Sequence, residues 1–268
     1  MKTKNAWIYL NTNQCFGSHQ GGWSREMTCR GELPTPHDLE EMVDERAFGE
    51  KRLGLLIMDD LLHPLRLKLD KPEKDPRAFL QFGLRHYLNF SVETAEVRFF
   101  PLSEELTYLT MALPKPWIEG VYAFFENKGV QLGHIGGLLT TLLSETKLGW
   151  NAVTIGIYRE VYLLVEMDEK GGFVQFRTRR LPLAADGQLD IQTLVHSDWE
   201  GFMQPTPAQR AVKLLALTED HQDQLATMRA ELGRFRDTTL VPQLGGNSLA
   251  RFQALLQQPS LAAAGGRA

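Results

Sequence analysis

The sequence predicts an α/β fold of two lobes, the first carrying a small inserted subdomain. One observation is the order of apolar patterns from Arg52 to Leu138. It reads strand, strand, helix, strand, strand, helix through RLGLLIMDDLLHPLRLKLDK, PRAFLQFGLRHYLNFSVETAEVRFFPL and ELTYLTMALPKPWIEGVYAFFENKGVQLGHIGGL. Another is an echo: the strands that open the chain return as three strands between Asn151 and Arg180. The last is size and composition, since 268 residues at 43% hydrophobic can bury the core of one large domain or two small lobes.

Taken in order, Ala6 to Leu33 alternates weakly, carries Trp, Tyr, Phe and Thr, and turns at Gly21-Gly22, which predicts a hairpin or three short strands. Pro36 suits a first helical position, with Asp38, Glu40 and Glu41 where carboxylates favour the helix dipole and Leu39, Met42 and Val43 at helical spacing. That helix is expected to end near Gly49. Leu53 to Met58 is a nearly unbroken apolar run, as in a strand covered on both faces, and Leu65, Leu67 and Leu69 alternate with Arg66 and Lys68 in the next.

Asp75-Pro76 opens a helix with the apolar stripe Phe79, Leu80, Leu84, Tyr87 and Leu88, ending at Asn89. Thr94 to Phe100 and Leu106 to Leu113 form an antiparallel pair across a Pro101-Leu102-Ser103-Glu104 turn. Lys115-Pro116 starts a helix with Ile118, Val121, Tyr122 and Phe125 on one face, stopped by Gly129. A strand at Val130 to Ile135 and a helix from Leu138 to Thr146 follow. Strands then fall at Asn151 to Ile157, Val161 to Met167 and Phe173 to Arg180, and helices at Ile191 to Phe202, Pro207 to Leu217, Gln222 to Phe235 and Leu249 to Leu256. The resulting division is a first-lobe core over 1–70, the inserted subdomain and return to the lobe over 71–135, a shortened second lobe over 136–258 and a disordered tail over 259–268.

Lys and Arg number 29 against 33 Asp and Glu, a net charge of -4, so without a local patch nothing draws in nucleic acid or an anionic membrane. The densest basic spot, Arg177, Arg179 and Arg180, is of a kind more often solvated than functional. No apolar run reaches the about 18 residues that cross a bilayer, and MKTKNAWIYLN lacks the apolar core and cleavage site of a signal peptide. A cytoplasmic chain without direct membrane insertion is expected, with Cys15 and Cys29 as small buried side chains.

Several residue sets invite chemistry. Cys15, His19, Cys29 and His37 are spaced C-x3-H-x9-C-x7-H, which lacks the tight second pair of a zinc finger, so no metal is expected. Asp59-Asp60 has the makings of an acid-base pair or metal site, but such a pair is more often a solvated turn before a residue such as Leu61. Ser144, Ser248 and His134 fit no nucleophile elbow. Tyr87, Phe90, Phe99 and Phe100 form an aromatic cluster around the small subdomain, for which plain core is the simple reading.

The three-strand opening, repeated after a mixed insert, resembles the two halves of actin-like (ribonuclease H-like) domains. More closely, the chain resembles PilM-type proteins of type IV pilus assembly and the cytoplasmic domain of GspL-type secretion proteins. GLLIMDDLLHPLRLKLDKP stands for the family's strand pair, FLQFGLRHYLNFSVETAEVRFFPL for its helix, aromatic segment and strand, and LTYLTMALPKPWIEGVYAFFENKGVQLGHI for the return to the lobe. The likeness covers most of the first two hundred residues and fades beyond Asp186.

Actin-like ATPases place D-x-G near the start of each lobe, a carboxylate for the magnesium water shell and a glycine so that backbone amides reach phosphate. By resemblance the first site falls at Leu10-Asn11-Thr12-Asn13-Gln14, with neither residue present. The second falls at Val153 to Ile157, where Gly156 remains and Thr154 stands in the carboxylate's place. An adenosine-loop counterpart is at best Gly245-Gly246, and a lone Gly-Gly is more often a cap or turn. Without a carboxylate in either loop, magnesium-dependent hydrolysis loses its charge clamp, which implies a pseudo-ATPase with no cofactor, weak ATP binding being left open.

PilM-type proteins capture a short extended cytoplasmic peptide at the N-terminus of a membrane-anchored partner, PilN, between the first lobe and the inserted subdomain. The resemblance implies a peptide site here at Tyr87, Leu88, Phe90, Val97, Phe99 and Phe100. It implies a scaffold held at the inner membrane through that partner and among other platform proteins. Two alternatives share the fold: a nucleotide-dependent assembly switch, and a small-molecule kinase, which the missing aspartates disfavour most.

Overall fold

In a computed structural model the described residues are 6–11, 14–18, 22–26, 31–49, 52–158, 161–180, 210–217, 222–232, 238–240, 250 and 252–253. The chain divides into two compact units, Met1–Pro101 with Glu105–Thr141, and Leu102–Glu104 with Leu142–Ala268.

The first unit is built on a five-stranded sheet. Strands β1 (Ala6–Leu10), β2 (Gln14–Gly17) and β3 (Trp23–Glu26) form an antiparallel meander, and β4 (Arg52–Ile57) and β8 (Gln131–Gly137) run parallel to β1, in the order β3-β2-β1-β4-β8. Two helices cover one face. In α1 (Pro36–Met42) Thr35 and Asp38 form a capping box, the Asp38 amide donating to the Thr35 hydroxyl at 3.3 Å and the Thr35 amide to the Asp38 carboxylate at 2.7 Å. The other, α3 (Lys115–Asn127), is followed by Gly129 at φ 76, a left-handed position open to glycine. Leu39 and Met42 of α1 and Val121, Phe124 and Phe125 of α3 pack on Ile8, Leu10, Leu53 and Leu55. Truncating a fully buried ring such as Phe125 costs about 3–5 kcal/mol.

Between β4 and α3 the chain builds the small subdomain, an antiparallel sheet ordered β5-β7-β6 from β5 (Leu65–Lys68), β6 (Ala95–Pro101) and β7 (Thr107–Pro114). Its helix α2 (Pro76–Leu84) is capped by Asp75, whose carboxylate accepts from the Arg77 and Ala78 amides at 3.1 and 3.4 Å. Gly83 of α2 faces Leu67 of β5.

The second unit repeats the plan. Strands β9 (Ala152–Tyr158), β10 (Val161–Met167) and β11 (Phe173–Arg180) form the meander, and β12 (Ala211–Ala216) and β13 (Thr238–Leu240) run parallel to β9, in the order β11-β10-β9-β12-β13. Leu225, Met228 and Leu232 of α5 (Gln222–Leu232) pack on Val153, Ile155, Leu164, Val212 and Leu214. The remaining helix, α4 (Leu138–Glu145), follows β8 directly.

The structure corrects four element assignments. Pro207 to Leu217 was expected as a helix, but Ala211–Ala216 is a strand, because a stretch as short as AVKLLA carries no decisive period and the open side of β9 takes it in. The three-residue β13 was not foreseen. The helix from Pro36 stops at Met42 and continues as a separate 3-10 turn over Glu45–Gly49, since Val43 turns extended at φ -81, ψ 123. The helix from Pro76 stops at Leu84, and only Leu80 and Leu84 of its expected stripe are buried. The expected helix Ile191 to Phe202 lies outside the described residues.

Candidate functional site

Strands β1, β4 and β8 are parallel, so their carboxyl ends lie along one side of the first sheet, the side where open α/β sheets hold ligands. Asn11 follows β1 and is 2% exposed. Its Oδ1 accepts from the Gln14 amide at 2.6 Å, its Nδ2 donates to the Tyr9 hydroxyl at 3.1 Å, and its own amide donates to the Gln14 carbonyl at 2.9 Å. The Asn11 side chain therefore takes the Gln14 amide, which an anion-holding loop would offer outward. Thr12 and Asn13, of the same expected loop, lie outside the described residues.

At the end of β4, Asp59 begins a 3-10 turn over Asp59–Leu62 and is 1% exposed, which overturns the expectation of a solvated Asp59-Asp60 turn. Its carboxylate accepts from the Leu139 amide at 2.8 Å and the Thr140 amide at 2.9 Å, and from the Thr140 hydroxyl, so it caps the first turn of α4. Gly137 makes the approach possible, because a Cβ there would sit 2.2 Å from the Asp59 Oδ1. Burial pushes the carboxyl up to about 6, against the three donors, which pull it down, while Asp60 nearby adds to the rise. An acid placed directly after an apolar strand run, facing a Gly-Gly that opens a helix, was the sequence signal for this clamp.

In the second unit, Thr154 and Gly156 lie inside β9. Thr154 is fully buried. Gly245 and Gly246 lie outside the described residues. Next to Thr154 across the sheet, Lys213 of β12 donates to the Leu148 carbonyl at 2.8 Å, and burial lowers the basicity of its amine.

The expected peptide residues gather on the small subdomain. Tyr87, in the turn after α2, is 60% exposed, so the aromatic cluster is not plain core. Leu88 and Phe90 are half-buried, and the Phe90 ring meets His63 edge-on at 5.1 Å between centroids. Val97, Phe99 and Phe100 lie half-buried on β6, an outermost strand of its sheet. Val97 and Phe99 share one face of that strand and Phe100 the other.

Cys15 is buried in the core, His37 is exposed on α1, and His19 and Cys29 lie outside the described residues. Among the described residues no three His, Cys, Asp or Glu side chains converge as a metal site. His134 approaches the Thr141 hydroxyl at 3.4 Å, Ser144 is exposed on α4, and Ser248 is not among the described residues. An open cleft of about 470 Å³, lined by Tyr122, Glu126, Gly129, Val130, Gln131 and Leu132, contains none of the expected site residues. Among the described residues no helix is long and apolar enough to cross a membrane.

Neither a family model nor a curated protein matches this sequence. Solved structures do. The PilM-PilN type IV pilus biogenesis complex aligns over 100% of this chain and 100% of its own, with a TM-score of 0.60 at 14% identity. A Bacteroides thetaiotaomicron protein with an actin-like ATPase fold and unknown function aligns over 94% and 95%, with a TM-score of 0.52 at 16% identity. The fold is actin-like. The cytoplasmic domain of EpsL, an inner-membrane component of the type II secretion system of Vibrio cholerae, aligns over 97% and 95%, with a TM-score of 0.51 at 11% identity. An actin-like fold accounts for the repeated strand order of the two units.

Proposed function

We propose that this chain is a non-catalytic cytoplasmic scaffold that docks to the inner-membrane platform of a type IV pilus or type II-like secretion machine. It captures a short cytoplasmic peptide of a membrane-anchored, PilN-like partner and is held at the membrane through it. The observation that carries this reading is the end-to-end match in fold to the PilM-PilN structure, with the small subdomain retained between β4 and α3. The Asn11 side chain supports the non-catalytic part, since the Gln14 amide it holds is not offered to a phosphate.

The peptide site consists of Tyr87, Leu88 and Phe90 beside the edge of β6, with Val97, Phe99 and Phe100. An outermost strand offers backbone groups to an extended chain, and half-buried aromatic side chains offer places for its alternate residues. The test is fluorescence anisotropy with a synthetic peptide from the N-terminal cytoplasmic segment of a PilN-like membrane protein of the same organism. Saturable binding is expected, weakened about tenfold or more by Tyr87→Ala or Phe99→Ala. Magnesium-dependent ATP turnover with no peptide binding would overturn the reading.

A further inference from the structure

His63 links the end of the first sheet to the small subdomain. It closes the 3-10 turn Asp59–Leu62 that follows β4, its amide donating to the Asp60 carbonyl at 3.0 Å, and it stands in the left-handed region at φ 44, ψ 54. Among residues with a Cβ, asparagine, aspartate and histidine take that conformation most readily. The turn is pinned at its other end, where the Asp59 carboxylate holds the Leu139 and Thr140 amides. From this fixed position the half-buried imidazole meets the Phe90 ring edge-on, 5.1 Å between centroids and 68° between planes. Phe90 belongs to the proposed peptide site, so His63 brings the first sheet's end up to that site.

Two carboxylates act on the imidazole: Asp60 of its own turn and Glu32, exposed in the segment before α1. Both favour the protonated ring. Burial opposes them and prevails, holding the ring's pKa below the ordinary 6.5. At neutral pH the ring beside Phe90 is therefore uncharged.

We infer that His63 is a further residue of the peptide site and that its charge regulates capture, the neutral ring admitting the peptide and the protonated ring releasing it. A chain laid beside Phe90 takes water away from the imidazole as well. Loss of water disfavours the imidazolium, the same effect that already prevails in the free protein. The peptide therefore holds the ring neutral, and by reciprocity a proton on the ring weakens the peptide in equal measure. Each further unit by which the bound peptide lowers the ring's pKa is about tenfold in affinity. Asp59 of the same turn titrates nearby, at about 6, but its oxygens face α4 and not Phe90. This role rests on the proposed peptide site and adds a regulating residue to it.

The test is anisotropy with the same PilN-like synthetic peptide from about pH 8 to about pH 5.5, across the range in which a histidine titrates. The Kd of wild type rises about tenfold toward the acid end. His63→Asn keeps a side chain suited to the left-handed backbone and takes no proton there, so its Kd stays level. The NMR titration of the His63 Cε1 proton in the full chain, assigned by its loss in His63→Asn, gives a second reading. Its midpoint falls when peptide is added to wild type, and it rises in free Phe90→Ala, where water reaches the ring. Peptide binding that is independent of pH overturns the regulation and leaves the scaffold role standing. So does a pH dependence that His63→Asn retains, which assigns it to another group such as Asp59. A midpoint moved neither by peptide nor by Phe90→Ala removes His63 from the site. No peptide binding at any pH overturns the scaffold role itself, and the regulation with it.

Discussion

Asp59 and Thr140 stand 81 positions apart in the chain and are joined twice, the Asp59 Oδ1 accepting from both the backbone amide and the hydroxyl of Thr140. With the Leu139 amide on the other oxygen, one carboxylate ties the end of β4 to the start of α4. Asp59→Ala leaves two helix N-terminal amides without this acceptor and is expected to cost about 2–4 kcal/mol in urea denaturation. Loss of under half a kilocalorie would show that the clamp is dispensable.

The same carboxyl sets a pH dependence. Its folded value of about 6 lies above the 3.8 of an ordinary aspartate. Between those values the folded chain keeps a proton that the unfolded chain has released, so this group's contribution is full below about pH 4 and is lost as pH rises through about 6. The shift corresponds to roughly 3 kcal/mol. Asp59→Asn cannot titrate, so the difference in stability between wild type and this variant should change across that window and be flat above it. A difference independent of pH would refute the assignment.

Gly137 belongs to the same contact. A methyl group there would stand 2.2 Å from the Asp59 Oδ1, and moving the carboxylate away breaks the bonds to α4. Gly137→Ala is therefore expected to cost about as much as Asp59→Ala, and the double variant little more than either, because both remove one interaction. Costs that add fully would separate the two residues.

Much of the fold was legible because its strands carry their own signals. The alternation from Leu65 to Leu69 states a period, the apolar run Leu53 to Met58 and the strands from Asn151 to Arg180 are short and bounded by turn signals, and the echo between the openings of the units appears as two sheets of matching order. What escaped depended on partners distant in sequence. Ala211–Ala216 is a strand only because β9 has an open side, and Asp59 is buried only because Leu139 and Thr140 supply donors. Phe79 was assigned to the core on spacing alone, which cannot tell the edge of an apolar stripe from an exposed ring. Of the site residues, those on the small subdomain lie together, while Thr154 and Gly156 lie inside the strand expected from Asn151 to Ile157.

The turn at Asn11 gives a prediction about nucleotide. Asn11→Ala removes the acceptor of the Gln14 amide and the donor to the Tyr9 hydroxyl, for an expected cost of about 1–3 kcal/mol. Magnesium ATP should leave the Tm of wild type unchanged. A rise of several degrees would mean that the turn opens to phosphate and that the chain is a nucleotide switch.

The second unit carries a buried charge pair. Glu166 of β10 is 0% exposed, and the Arg210 Nη1 bonds to its carboxylate and to the Met167 carbonyl, the latter at 3.3 Å. Glu166 pairs in register with Val153, on the sheet face that α5 covers, so an unpaired carboxylate there would sit against the apolar cluster. Removing the arginine alone strands that charge, and Arg210→Ala is expected to cost about 3–5 kcal/mol. Glu166→Gln with Arg210→Met removes both charges and should cost less than Arg210→Ala, since the penalty comes from the orphaned carboxylate more than from the lost attraction. Urea denaturation of the single and double variants at neutral pH measures this directly. A double variant as unstable as the sum of its singles would show that the pair is not coupled and that Arg210 acts through packing alone.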